Sequence, residues 1–386
     1  MQKTLVDIKG HLASHFSALI DKAKDFVYKN DLELPYLLVD RDKVKEKVCE
    51  IGSNIRNAIL FYAVKAHPDV EILKLIRDLG ISFEIASEGE LKILQAIGVG
   101  PDRIISSNPV KSMKFLTMAS SYGVNFFSFD SDEEVKKLSR YAPGSYVYIR
   151  LIVPNEGSEW PLSKKFGVEL GDALRLLLYA KDMGLNSVGI TFHVGSQCTN
   201  VLNWEKALDK AKVLWDHAAE KGLRLSVLNI GGGYPIYYTR QVPDINSINV
   251  FVDKLIYERF PSDIKVFIEP GRAIVGDAGI FVATVIGKTR RGDENWLYLD
   301  VGVFNGLMES IGGIRYSYFI DRQQSQPLQQ WTIAGPSCDS FDVIDRGVEL
   351  SEPDVGEKVF ILSSGAYTIS YASEFNGFSI PRTYLI

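Results

Sequence analysis

Eight apolar, β-rich runs recur through the first two thirds of this 386-residue chain, and helical segments fill most of the gaps between them. The runs lie near 58–64 (AILFYAV), 81–86 (ISFEIA), 103–107 (RIISS), 124–129 (VNFFSF), 146–152 (YVYIRLI), 187–193 (SVGITFH), 225–230 (LSVLNI) and 265–269 (KVFIE). Helical periodicity fills segments such as 69–79, 88–97 and 202–221. Such alternation alone permits a doubly wound parallel sheet or a closed barrel. The count of eight, and the polar residues at the strand ends, favour an α/β fold of the TIM-like (β/α)8 barrel type.

After residue 276 the texture changes. Strand-like runs continue at 278–288, 295–300, 330–334 and 357–362, but the helices between them largely disappear. An amphipathic helix is predicted over 9–28, with Leu12, Phe16, Ile20 and Ala23 on one face, and a strand over 33–40. The expected organisation is a barrel over 36–275 and a mostly-β domain, sandwich or barrel, built from 1–35 and 276–386.

Charge and cysteine content narrow the function. A net charge of −5 offers no basic excess for neutralising phosphates, so nucleic acid is not an expected partner. The three cysteines, Cys49, Cys198 and Cys338, cannot make a disulfide framework and suit a reducing compartment. No apolar run is long enough to span a membrane and no signal core opens the chain, so a cytoplasmic protein without membrane attachment is expected.

In a barrel, reactive groups sit where the strands end. Those positions hold Lys65, Glu84, Asn108, Asp130, Arg150, His193, the Gly231 run and Glu269. A lysine closing FYAVK can form a Schiff base with a carbonyl cofactor or simply reach solvent. The glycines of GGGYP, including Gly232 and Gly233, let backbone approach a phosphate, and Ser196 adds a hydroxyl. His193 can lie flat on an aromatic ring, or be a satisfied core histidine. In EPGR, Glu269 could hold a pyridine nitrogen protonated, and Arg272, one residue after Gly271, offers charge-assisted contacts. In GPSCDSFD, Cys338 beside Asp339 could donate a proton.

Taken together, FYAVKAHPD, FEIASEGEL, SNPVK, SKKFGV, FHVGSQ, NIGGGYP, IEPGR, GPSCDSFD and GAY followed by FNGF resemble the fold-type III pyridoxal-phosphate (PLP) decarboxylases. These are the ornithine, lysine and diaminopimelate decarboxylases, and the likeness is greatest to the bacterial ornithine branch. The resemblance implies that Lys65 carries PLP, that His193 stacks on its ring and that Glu269 pairs with the ring nitrogen. It implies that Ser196, Gly233, Arg272 and Tyr367 hold the phosphate, with Glu84 and Arg150 supporting Lys65. Cys338 would protonate the carbanion after carbon dioxide leaves, and Asp339 and Phe375 would border the substrate. The family's head-to-tail homodimers would bring Cys338 and Asp339 from the partner chain. No metal is expected. An amino-acid racemase on this fold and a non-catalytic regulatory homologue are the alternatives. Racemases of this fold usually set an arginine against the ring nitrogen, so Glu269 favours decarboxylation.

One segment departs from the relatives. GLMESIGGIRY (306–316) has Gly312 and Gly313 where acidic residues usually read a distal amine, and Arg315 follows. Two glycines make a roomier pocket. The expected substrate is therefore either an ornithine- or lysine-type amino acid or a diamino acid derivatised at its distal end.

Overall fold

A computed structural model describes residues 2–33, 35–160, 165–321 and 327–386, with side chains from Phe16 onward. Ser163 and Lys164 of the SKKFGV motif, and the side chain of Leu12, lie outside the described residues. The chain divides into two compact units. One comprises Lys45–Ile236 and Val242–Ile274; the other comprises the segments up to Val44, Tyr237–Gln241 and Val275–Ile386.

The first unit is the barrel. Its eight strands are all parallel, in the order Ile104–Ile105, Ser82–Glu84, Ala58–Ala63, Lys265–Ile268, Val227–Asn229, Asn186–Thr191, Tyr146–Arg150 and Phe126–Phe129. Ser106 then pairs in parallel with Phe127 and joins the two ends of that order. The Ser106 amide donates to Phe126 O and its carbonyl accepts from Ser128 N, at 3.0 and 2.9 Å. That closure decides between barrel and doubly wound sheet, because an open sheet keeps two unpaired edges. Helices return the chain between strands. Asp69, Ser87, Ser112, Ser131 and Asp244 cap five of them, each side chain accepting from a first-turn amide. Phe61, Ile105, Val227 and Phe267 pack together inside the ring, with the Phe61 and Phe267 ring centroids 4.7 Å apart.

The second unit is built on an eight-stranded, largely antiparallel sheet. Gly279–Arg291 is its spine, pairing with Tyr36–Val39, Glu294–Leu299 and Lys358–Leu362. Residues 36–44, read with the barrel in the sequence, lie here instead, because Tyr36–Val39 finds its hydrogen bonds in this sheet. Tyr237–Gln241 also belongs here: Ser317 and Ser363 donate to the carbonyls of Tyr238 and Tyr237, both at 2.6 Å. The helix Gln2–Lys29 presents Phe16, Leu19 and Ala23 to Tyr36, Leu38, Ile280, Val282, Phe360 and Leu362. Leu19 is buried on that face and Ile20 only partly, a small rotation from the predicted stripe. Strands at Tyr318–Ile320, Val343–Ser351 and Arg382–Leu385 were not expected from the sequence. Among the described residues no helix is long and apolar enough to cross a membrane.

Candidate active site

The C-terminal ends of the barrel strands bring the predicted chemistry into one place. Lys65 follows Ala58–Ala63 in a single 3-10 turn, Val64–Ala66. Its side chain is about half exposed and pairs with Glu84 Oε2 at 2.6 Å. Glu84 ends its own strand and is buried. Its other oxygen accepts the Ser107 amide at 3.3 Å.

Glu269 follows Lys265–Ile268 and is also buried. Burial pushes its carboxyl above the usual range, the charge of Glu84 adds to that, and Lys65, Asn229 and Ser107 pull it back. Ser107 Oγ and Asn229 Nδ2 both donate to Glu269 Oε1. Tyr148 OH lies 2.8 Å from Ser107 Oγ. Burial, then the nearby charge of Glu269, pushes the Tyr148 phenol far above its ordinary range, so it keeps its proton.

His193 lies two residues beyond Asn186–Thr191. Burial, then the charges of Arg150 and Lys65, hold its pKa well below the usual value, which keeps the imidazole neutral. Its Nδ1 accepts the Gly195 amide at 2.9 Å, which assigns the remaining proton to Nε2. Arg150 ends Tyr146–Arg150; burial lowers its pKa, opposed by the charges of Glu269, Asp130 and Glu84. It therefore stands in the field of the Glu269, Asp130 and Glu84 carboxylates.

The glycine run is a true cradle. Gly231 and Gly233 have φ of +66° and +98°. A Cβ on Gly231, Gly232 or Gly233 would stand 2.4 Å from the carbonyl oxygens of Phe192, Glu269 and Gly195 respectively. Arg272, buried one residue after Gly271, donates through Nε and Nη2 to Ser196 Oγ at 3.2 and 3.1 Å. A guanidinium, a hydroxyl and a glycine turn are the donor set for a phosphate. With an accessible amine, a neutral imidazole and a buried carboxylate, the set suits a flat, phosphorylated pyridine aldehyde.

The remaining predicted residues lie in the sheet unit. The amide and thiol of Cys338 both donate to Asn376 Oδ1, at 3.1 and 3.2 Å, so GPSCDSFD meets FNGF. Phe375 packs on Phe304 with ring centroids 4.7 Å apart. Asp339 Oδ1 accepts the Phe341 amide at 2.8 Å. Asp342 anchors the loop through the amides of Val303 and Ser337, at 2.7 and 2.9 Å. Gly313 closes the short helix Met308–Gly312 at φ +100°, a conformation that favours glycine. Gly313, Arg315, Phe341 and Asp345 line one cavity of about 480 Å³. Arg315 is paired with Asp345, so its charge is already answered. Tyr367 is half-buried with φ +54°.

Ser107, Tyr148, Asn229, Asn376 and Asp342 were missed in the sequence. Ser107 opens SNPVK and Asn229 opens NIGGGYP, two residues before Gly231, while Asp342 and Asn376 lie within GPSCDSFD and FNGF; membership of those motifs was the available signal.

Comparison with known proteins places the chain beside one family model and several relatives. A family model described as pyridoxal-dependent decarboxylase, pyridoxal binding domain, matches residues 41–276. The lysine/ornithine decarboxylase of Selenomonas ruminantium is 38% identical over 356 residues, 90% of this chain and 88% of that protein. Antizyme inhibitor 2 of Xenopus laevis is 33% identical over 335 residues, 82% and 73% of the respective chains. Among solved structures, the cadaverine complex of lysine/ornithine decarboxylase from Vibrio vulnificus matches with a TM-score of 0.87 at 30% identity, covering 96% of this chain and 98% of that one.

Proposed function

The chain belongs to the pyridoxal-dependent decarboxylases, and from that premise we propose that its substrate is an ornithine- or lysine-type diamino acid, free or derivatised at its distal end. It is a PLP-dependent amino-acid decarboxylase, a carbon–carbon lyase. Bound in the barrel, PLP supplies a carbonyl that takes up an amine and a ring that accepts the electron pair left when carbon dioxide departs.

We assign the roles as follows. Lys65 is the amine that holds the cofactor, and Glu84, at 2.6 Å, orients it and takes up its charge. Glu269 keeps a proton at the ring nitrogen; a carboxylate there suits decarboxylation better than the arginine of related racemases. Neutral His193 offers a flat face without a competing charge. Gly232, Gly233, Gly271, Ser196, Arg272 and Tyr367 hold the phosphate, and Arg150 balances the carboxylates. Cys338 returns a proton to the α-carbon, delivered with Asp339 and Phe375 by a second copy of the chain in a homodimer.

The observation that carries the substrate reading is the cavity of about 480 Å³ bordered by Gly313 and the Cys338 loop. Arg315 is held by Asp345, and Arg346, which lines the same cavity, lies 3.7 Å from Glu294, so both cations there have carboxylate partners; Asp339 is assigned to a distal amine. Release of carbon dioxide, screened over L- and D-ornithine, lysine, arginine, diaminopimelate and N-acylated or citryl diamino acids, tests it. Turnover is expected on diamino acids, with distal substitution tolerated. Turnover confined to free ornithine and lysine removes the derivatised class, and absence of turnover on every one of these substrates overturns the reading.

A further inference from the structure

We propose that Ser107 and Asn229 form a bracket that ties the Lys65–Glu84 pair, Glu269 and the glycine cradle into one unit, and that Ser107 is a positioning residue for decarboxylation. The proposal rests on the roles assigned above to Lys65 and Glu269.

Donor and acceptor chemistry fixes the direction of every bond in the bracket. An ionised carboxylate only accepts, so Ser107 spends its one hydroxyl proton on Glu269 Oε1. The Ser107 oxygen must then accept from Tyr148, whose phenol keeps its proton. Asn229 Oδ1 accepts the Gly231 amide at 2.9 Å, which turns Nδ2 toward Glu269 Oε1. The same Nδ2 lies 3.4 Å from Ser107 Oγ. Both donors fall on Oε1, and neither occupies Oε2. Through its backbone, Ser107 also donates to Glu84 Oε1, while Glu84 Oε2 takes Lys65. One serine thus touches both buried carboxylates, with a separate donor for each.

The position of that serine is set by the fold. Its neighbour Ser106 makes the bridge that closes the barrel, so Ser107 is held between strands rather than on a free loop. The need for it is electrostatic. Burial and the charge of Glu84 raise the cost of ionising Glu269, and donors aimed at its charged form offset that cost. Without Ser107, Glu269 would bind a proton more tightly itself and support one on the ring nitrogen less well.

The test uses the purified enzyme stripped of PLP and titrated back with it, following protein fluorescence for affinity and the visible cofactor absorbance against pH. Ser107→Ala is expected to weaken PLP binding about tenfold, the scale of one hydrogen bond to a charged group, and to move the pH transition upward. Ser107→Thr, which keeps the hydroxyl, should restore both. Wild-type affinity and an unmoved transition in Ser107→Ala overturn the proposal. Glu269→Gln run alongside separates the causes: if it is defective while Ser107→Ala is not, only the bracket falls, and if both match wild type, the role of Glu269 falls with it. Should the alanine variant be unstable, Asn229→Asp keeps the acceptor for Gly231 and loses the donor to Glu269; wild-type behaviour there overturns the proposal equally.

Discussion

At the barrel mouth Glu84 and Glu269 are buried and hydrogen-bonded within their own unit, whereas in the sheet unit Cys338 is exposed and Phe341 beside it is 72% exposed. The barrel groups are held by backbone amides and side chains from several strands before any ligand arrives. The Cys338 loop is anchored by Asp342 and by Asn376, and Cys338 itself is exposed. The contrast separates two tasks. Holding a cofactor and stabilising charge requires fixed dipoles in a water-poor site. Supplying a proton and bordering a substrate requires groups that can be approached.

The largest expected effect breaks the first region. Lys65→Ala should abolish the visible band of bound PLP and lower kcat/KM roughly a thousandfold or more, since covalent attachment of the cofactor is lost. Retention of the band would show that another amine holds it. This also answers a non-catalytic reading prompted by the likeness to antizyme inhibitor 2, because a chain that binds no PLP has no band to lose.

A smaller effect sharpens the contrast. Cys338→Ala should lower kcat about a hundredfold, the scale of a lost general acid, while PLP affinity stays at the wild-type level. If affinity falls in parallel with kcat, the two regions are not functionally separable and the division of tasks is wrong. Asn376→Ala should fall between Cys338→Ala and wild type, because it removes the acceptor that orients the thiol and leaves the thiol itself.

The same contrast explains what the sequence made legible. Strand ends in a barrel converge by topology, so Lys65, Glu84, Arg150, His193 and Glu269 could be grouped from spacing alone. Ser107 and Asn229 sit inside the SNPVK and NIGGGYP motifs, but that the two meet, 122 residues apart in sequence, shows only in their hydrogen bonds. The strand Tyr36–Val39 reads as apolar wherever it pairs, and only its hydrogen-bond partners assign it to the sheet. Val343–Ser351 was missed because it carries charges and a glycine at φ +69°, Gly347, which blur its alternation. In the Cys338 loop the motif was plain, but its anchoring by Asn376 and Asp342 depends on loop geometry that no periodicity encodes.

The smallest effect probes how crowded the barrel mouth is with negative charge. Glu90 lies in the first turn of the helix Glu88–Ala96, where its Oε2 accepts the Ala86 amide at 2.6 Å. Burial, then the charge of Glu84, pushes its carboxyl up to about 7. In the unfolded chain a glutamate titrates at about 4.3. Between those values the folded protein holds a proton that the unfolded chain has released. The associated stability is fully present below about 4.3 and is lost as pH rises through about 7. Glu90→Gln keeps an acceptor for Ala86 and is neutral throughout, so it escapes this loss. In urea denaturation of the PLP-free protein, the variant should gain about 3 kcal/mol on wild type between pH 4.5 and pH 8. A constant difference across that range would mean that neither burial nor the charge of Glu84 raises the Glu90 carboxyl.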